Sequence, residues 1–181
     1  MRRPSVVEAW GSSAEERVAS YPCDALIDEP DGVVFRAVEI AAPAELVFRW
    51  LCQLRVAPYS YDLIDNLGRR SPRHIIDGLD QLNVGQRFMV MFRLAAFETD
   101  RSITLDSRTA AFGRVAGTYL VVPIGTARSR LVVKLAYVAP GGPYGWWLKQ
   151  VLPAADLFMM RKQLLTLKRL VEHDAQREPT A

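Results

Sequence analysis

The sequence has few of the residues that build metal sites or disulfide frameworks. Its 181 residues include only two cysteines, Cys23 and Cys52, and two histidines, His74 and His173. The members of each pair are far apart, so the chain shows neither the clustered spacing of a zinc site nor a disulfide framework. We therefore predict no metal site and no cofactor.

The sequence also lacks long apolar runs and a strong charge of one sign. No apolar stretch approaches the roughly 20 residues that a membrane-spanning helix needs, so we expect no integral membrane segment. The net charge is only +3, and the arginines are scattered rather than gathered in a stripe, which argues against nucleic-acid binding. Glu8 and Trp10 interrupt the apolar core that a signal peptide would need, so we expect a cytoplasmic protein.

What is present suits one globular domain. Half of the residues are hydrophobic and 24% are charged, as in an ordinary globular protein. We assign residues 1–32 to an N-terminal arm and loop, 33–174 to a single domain and 175–181 to a frayed tail. Within the arm, Ser13 followed by Glu16 forms a capping-box pattern that predicts the start of a helix.

The domain begins with a predicted strand and helix. The segment "VVFRAVEIA" (33–41) is rich in β-branched residues, and apolar side chains occur on both of its faces, so we expect neither face to be fully wet. Pro43 opens a helix whose apolar residues form one stripe down to Leu54. This pattern is typical of a half-buried helix that packs on a sheet.

The second half of the chain alternates like strands and then returns to a helical period. In the last alternating segment, Arg130 and Lys134 lie opposite the apolar face, and a long amphipathic helix follows to about His173. Pro153 is predicted to kink this helix or to mark its start. The alternating segments, joined by short links that favour an antiparallel meander, are 86–93, 97–106, 114–125 and 129–138.

Several short motifs resemble one known superfamily. They are Trp10-Gly11 with Glu15-Glu16, "YPCDALI" (21–27), "RWLCQL" (49–54), "YSYDLIDNLG" (59–68), "LDQLNVGQRF" (79–88) and "FMMRKQLLTLKRL" (158–170). Over roughly residues 8–174, the chain resembles a bacterial group of the START-like, helix-grip superfamily (SRPBCC), also called polyketide cyclase/dehydrase and lipid transport. The resemblance implies an α+β helix-grip fold: a curved antiparallel sheet wrapped around a long C-terminal helix, with two short helices after the first strand.

The same resemblance implies a deep hydrophobic cavity between the sheet and the C-terminal helix. Superfamily members bind lipids, sterols, hormones or polyketides there, and some catalyse cyclisation or dehydration. We therefore expect this chain to bind a small hydrophobic ligand (lipid-, polyketide- or isoprenoid-like), mainly through burial of apolar surface.

Two other functions stay open at this point. One is a cyclase or dehydratase that acts on a carbonyl-containing hydrophobic substrate, with an Asp, Glu or Tyr as acid or base. The other is a non-catalytic partner protein that uses the basic, solvent-facing side of the last helix, which carries Arg161, Lys162, Lys168 and Arg169. The resemblance assigns no catalytic residue to this chain, and the sequence does not define an oligomeric state.

Nine residues are candidates for contact with a ligand. Strand alternation places Arg101 on an apolar face with Phe97 and Ile103, where an arginine must be paired or meet a ligand, whereas a bulge near Asp100 would turn it to solvent. Tyrosines can donate a hydrogen bond to a ligand carbonyl, and methionines suit adaptable pockets, although they are more often plain core. The candidates are Tyr59, Tyr61, Met89, Met91, Arg101, Tyr119, Tyr137, Phe158 and Met160.

The stretch from residue 57 to 74 has two interpretations. Helix punctuation explains Ser60 as an N-cap and Gly68 as the stop of a second short helix. Asp62 and its neighbours on one helical face lack the loop geometry of a calcium site, so we predict no cation there. The segment "RRSPRH" (69–74) is either a solvated turn, with a short helix from Ser71, or a group that captures an anionic head group at the cavity mouth.

Overall fold

The structure, a computed structural model, describes residues 5–60 and 71–177. Short 3₁₀ helices lie at Pro22–Ala25 and Gln53–Arg55. The other elements are β1 (Ala9–Trp10), α1 (Ala14–Val18), β2 (Gly32–Ile40), α2 (Ala44–Cys52), β3 (Arg87–Phe88), β4 (Phe92–Glu98), β5 (Ser102–Thr109), β6 (Gly113–Pro123), β7 (Ser129–Val138) and α3 (Gly142–Arg177).

The strands form one seven-stranded sheet in the order β1-β2-β7-β6-β5-β4-β3. Consecutive strands from β3 to β7 pair antiparallel, and this confirms the predicted meander. β2 pairs antiparallel with β7, and β1 adds to the free side of β2 in parallel orientation. The expected architecture, a sheet with a long C-terminal helix and two short helical segments after the strand at 32–40, is therefore confirmed.

Both faces of the sheet are covered, as the two-sided apolar pattern of β2 predicted. On the inner face, Val38 and Ile40 belong to a core cluster with Leu164 and Leu167 of α3. On the outer face, Phe35 and Ala37 lie in a second cluster, which also contains buried side chains of the N-terminal arm. These arm residues are Tyr21, Cys23 and Ile27.

Polar contacts hold the arm on the outer face. The side chain of Ser13 accepts a hydrogen bond from the backbone of Glu16, which confirms the capping box that starts α1. Glu16 Oε1 lies 2.7 Å from Arg130 Nε, and Asp24 forms an ion pair with Lys134. The two cations of β7 therefore face the arm, on the side of the strand that the alternation predicted.

Two of the predicted strands are interrupted by turns. Met89, with φ +49°, lies in the turn between β3 and β4, and Asp100, with φ +60°, lies in the turn between β4 and β5. The predictions of continuous strands over 86–93 and 97–106 are therefore wrong. Turns with a left-handed residue are usually marked by glycine, but Met89 and Asp100 take this conformation without one. The alternation of apolar residues continues through both turns and therefore predicted continuous strands.

The C-terminal helix begins earlier than the sequence predicted. α3 starts at Gly142 and contains Pro153 in its interior, so the proline does not mark the helix start. The helix predicted from Ser71-Pro72 is not present: residues 71–80 contain only bends, turns and irregular backbone. The helix predicted from Ser60 to Gly68 falls on 61–70, outside the described residues. Within the described ranges, no helix combines the length and the apolar character needed to cross a bilayer.

Candidate functional site

A cavity of about 260 Å³ lies beside the C-terminal half of α3. The helix lines one side, and the chain segments ending at residue 60 and resuming at residue 71 line the other. The side chains around it combine apolar surface, hydroxyl groups and cations, with no carboxylate among the described ones. They are Tyr59, Ser60, Ser71, Pro72, Arg73, Lys162, Thr166, Arg169 and Leu170.

The helical side of the cavity is one face of α3. Lys162, Thr166, Arg169 and Leu170 follow at i, i+4, i+7 and i+8, a spacing that puts them in one row. The Thr166 hydroxyl donates to the Lys162 carbonyl at 2.8 Å, as a helical threonine commonly does. The row therefore presents two long cationic side chains with a short side chain between them.

Other cations on the same helix have partners elsewhere. Lys168 Nζ lies 2.6 Å from both the Glu39 carbonyl oxygen and a Glu172 carboxylate oxygen. The guanidinium of Arg161 stacks over the ring of Trp10 at 5.7 Å. The predicted basic face of α3 is therefore divided, and only part of it lines the cavity.

Tyr59, on the opposite wall of the cavity, has an unusual backbone conformation. Its backbone has φ +56° and its side chain is buried, with the ring in an edge-on contact with Trp50 at 5.9 Å between centroids. A left-handed tyrosine is uncommon, so surrounding packing must hold it. The preceding residue supplies such a restraint, because the carbonyl of Pro58 accepts a 2.6 Å hydrogen bond from the Gln163 amide.

Gln163 connects this wall to the sheet. Its side-chain oxygen accepts a 2.7 Å hydrogen bond from the Tyr119 hydroxyl on β6, and both side chains are buried. The sulfurs of Met89 and Met160 lie 3.7 Å from this pair. Burial raises the pKa of Tyr119, so its hydroxyl is a neutral donor at physiological pH. The group fixes β6, α3 and the end of the α2 segment relative to one another.

A second buried polar group joins β2 to α3. Arg36 Nη2 lies 2.7 Å from Asp156 Oδ2, and the two side chains are 1% and 10% exposed. The guanidinium also donates to the carbonyls of Phe35 at 2.8 Å and Pro153 at 3.1 Å. Burial raises the pKa of Asp156 to about 6, against the opposing effect of Arg36. The pKa of the Asp156 carboxyl group therefore lies above that of an ordinary aspartate.

Comparisons with known proteins give structural neighbours and no sequence relatives. No protein-family model matches the chain, and no curated protein matches it significantly. A solved structure of a hypothetical protein from Helicobacter pylori is 16% identical, with a TM-score of 0.54 over 83% of this chain and 94% of that one. A protein from Thermobifida fusca is 15% identical, with a TM-score of 0.53 over 78% and 93%, respectively. One from Thermus thermophilus is 19% identical, with a TM-score of 0.51 over 79% and 99%.

These matches, together with the seven-stranded sheet and its long C-terminal helix, decide the fold. The chain has the helix-grip fold. This confirms the fold that the START-like resemblance implies. At such low identity, the likeness concerns the fold alone and carries no activity from these proteins to this one.

The helix-grip arrangement brings some of the predicted ligand-contact residues together. Tyr119, Met160 and Met89 meet around Gln163, between the sheet and α3. Tyr59 lines the cavity. Tyr137 is buried on β7, where burial raises the pKa of its hydroxyl.

Other predicted residues are exposed or fall outside the described residues. Arg101 does not share a strand face with Phe97, because it lies in the β4–β5 turn, where it is exposed and forms an ion pair with Glu98 at 2.9 Å. Met91, in the β3–β4 turn, and Phe158, on α3, are also exposed. Tyr61 falls outside the described residues.

The buried charged and amide groups between the sheet and α3 were not predicted from the sequence. Arg36 shares one face of β2 with Val34 and Val38, and this is the pattern of an arginine on an apolar face that was noted for Arg101. Gln163 and Asp156 lie next to the apolar stripe of α3, and nothing local marks them as buried. Among the described residues, no group of three or more His, Cys, Asp or Glu side chains could hold a metal ion.

Proposed function

We propose that this helix-grip protein binds a small molecule with an apolar part in the cavity beside α3. The observation that carries the proposal is the cavity itself, about 260 Å³ and lined in part by Tyr59, Pro72 and Leu170. Small-molecule pockets commonly span about 300–1,000 Å³, so this one suits a small ligand or one end of a longer ligand.

The packing of the core supports this place over a site deeper under the helix. Leu164 of α3 and Leu131 of β7 belong to the same core cluster, and both are fully buried. Tyr119 and Gln163 fill the neighbouring space with a hydrogen-bonded pair. A ligand would therefore approach from the side of α3, against the buried ring of Tyr59, rather than between the helix and the middle of the sheet.

Titration with the neutral fluorescent probe N-phenyl-1-naphthylamine tests the proposal. The expected result is saturable binding that a bulky side chain in the cavity weakens, so Thr166→Trp should lower the affinity about tenfold or more. Gln150→Trp places the same side chain at an exposed position of α3 and should leave the affinity unchanged. No binding to the wild type, or equal binding to Thr166→Trp, would contradict the proposal. Native mass spectrometry of freshly purified protein would then identify a co-purified ligand.

A second function, acid–base chemistry on a carbonyl-containing substrate, is favoured by Asp156. A buried carboxyl with a pKa near 6 beside a fixed guanidinium is the kind of group that such reactions use. A substrate would need to come within hydrogen-bond distance of this carboxyl group. Asp156 is buried and does not line the cavity beside α3, so ligand binding in that cavity is the better supported function. If a substrate is found and Asp156→Asn leaves its turnover unchanged, this second function is wrong.

A further inference from the structure

We infer that the cavity beside α3 recognises an oxyanion, a carboxylate or a phosphate, carried by the ligand. This inference rests on the proposed function and adds the chemical class of the ligand. Three cations line the cavity: Arg73 from the loop side, and Lys162 and Arg169 from the helix. The described lining contains no acidic side chain that could compensate them.

The geometry of α3 lets its two cations act on one group. Arg169 lies seven positions after Lys162, a rise of about 10 Å along the helix. Both side chains are long and flexible, and only the short side chain of Thr166 stands between them in the row. They can therefore reach toward a single anion from either end, while Arg73 faces them across the cavity.

The charges of these three side chains are not neutralised within the described parts of the chain. Lys149 pairs with Asp31, and Lys168 pairs with Glu172, both on the same helix. No ion pair joins Arg73, Lys162 or Arg169 to an acidic side chain among residues 5–60 and 71–177. Like charges around one cavity repel each other, and a bound anion offsets this repulsion because it attracts all three cations.

The remaining lining explains why the anion would belong to a larger molecule. The buried ring of Tyr59 and the side chain of Leu170 form apolar surface next to the cations. Arginine binds carboxylates and phosphates with two parallel hydrogen bonds, and lysine binds them as a point charge. The cavity therefore matches an amphipathic ligand, with an apolar body against Tyr59 and its oxyanion between the cations.

Displacement of N-phenyl-1-naphthylamine by three molecules with the same alkyl chain separates the two proposals. The competitors are octanol, nonanoate and octyl phosphate, each of which carries an eight-carbon alkyl chain on a different head group. We expect at least one of the two anions to displace the probe at a concentration about tenfold or more below that of octanol. The better anion of the two identifies the head group as carboxylate or phosphate.

Variants assign the preference to the three cations. The triple variant Arg73→Gln, Lys162→Gln, Arg169→Gln should lose the preference for an anion, so that all three competitors displace the probe at similar concentrations. All three side chains are exposed, so the variant should keep the wild-type urea midpoint. Arg108→Gln removes an exposed cation from β5, away from the cavity, and should keep the wild-type preference for the anion.

The outcomes are distinguishable. If the neutral probe does not bind the wild type, the proposed function fails, and this inference fails with it. If the probe binds but octanol displaces it as well as both anions do, the function stands and the inference is wrong. An anion preference that survives in the triple variant would also overturn the inference.

Discussion

The guanidinium of Arg36 and the carboxyl group of Asp156 lie 2.7 Å apart, and this pair joins the middle of β2 to α3. The same guanidinium reaches the carbonyl of Pro153, three residues before Asp156 on the helix. The buried guanidinium therefore binds both the Asp156 carboxylate and a backbone carbonyl of α3. The carbonyl belongs to Pro153, which has no N–H group to donate to the helical hydrogen bonds. This contact fixes the helix on the sheet, and its energetics can be tested.

Arg36→Met should destabilise the fold strongly at alkaline pH. The substitution removes the donor to two carbonyls and leaves Asp156 buried without its counter-ion. Breaking a buried pair in this way typically costs about 3–5 kcal/mol in the free energy of unfolding. Urea unfolding at about pH 8 measures the loss, and the loss should be smaller at about pH 5, where Asp156 takes up a proton.

A surface pair gives the matched control for Arg36. Arg101→Met removes the exposed partner of Glu98, and this should change the free energy of unfolding by no more than about 0.5 kcal/mol. Equal effects of the two substitutions would show that the buried pair has no special role.

The titration of Asp156 should make stability depend on pH in a defined window. Its pKa rises from 3.8 to about 6 on folding, so between these values the folded chain holds a proton that the unfolded chain has released. The contribution of this group is therefore fully present below about pH 4 and is lost as the pH rises through about 6.

The wild type and Asp156→Asn separate this carboxyl group from all the others. The difference between their free energies of unfolding should change over the interval from about pH 4 to about pH 6 and stay flat above it. Carbon NMR of the Asp156 side chain reports the pKa directly. A midpoint near 4 for the folded protein would refute the assignment.

Tyr119→Phe should destabilise the protein through Gln163. Without the hydroxyl, the side-chain oxygen of Gln163 loses its 2.7 Å donor while it stays buried. An unsatisfied buried acceptor typically costs about 1–3 kcal/mol. Tyr144→Phe is the control, because the Tyr144 hydroxyl donates to the Ala111 carbonyl at an exposed position, and its loss should cost about 0.5 kcal/mol or less. If both variants unfold at the wild-type urea concentration, the network does not contribute to stability.

Strong local patterns in the sequence predicted most of the fold. The antiparallel meander followed from alternation, and the cover on both faces of the sheet followed from the two-sided apolar pattern of β2. The turns at Met89 and Asp100 could not be predicted in this way, because neither position has the glycine that usually marks a left-handed residue.

The candidate site was less accessible to sequence reasoning because its parts are distant along the chain. Helical period placed Lys162 and Arg169 off the apolar stripe, but it could not show that Arg73 faces them across a cavity. Alternation could have flagged Arg36 on its apolar face, yet its partner Asp156 lies in the last helix. Pairings of this kind are set by tertiary packing rather than by any local motif.

The two cysteines report separately on the N-terminal arm and on the core. Cys23 lies in the arm, against the outer face of the sheet, and Cys52 lies at the end of α2 in the inner core. Both are fully buried, and burial raises the pKa of both thiols, that of Cys52 to about 12. Neither thiol should react with a disulfide reagent in the native state, since the thiolate is the reactive form.

Loosening the arm should expose Cys23 without exposing Cys52. Glu16→Gln removes the charge that pairs with Arg130, while glutamine can still accept the capping-box hydrogen bond, so the change is worth about 0.5–1 kcal/mol. The rate of Cys23 labelling should therefore rise about two- to fivefold, while the rate at Cys52 follows global unfolding and changes far less. Peptide mass spectrometry after timed labelling measures both rates.

Glu39→Gln, which removes an exposed partner of Arg128 outside the arm, should leave both labelling rates unchanged. Equal acceleration at the two thiols would mean that the arm and the core open as one unit.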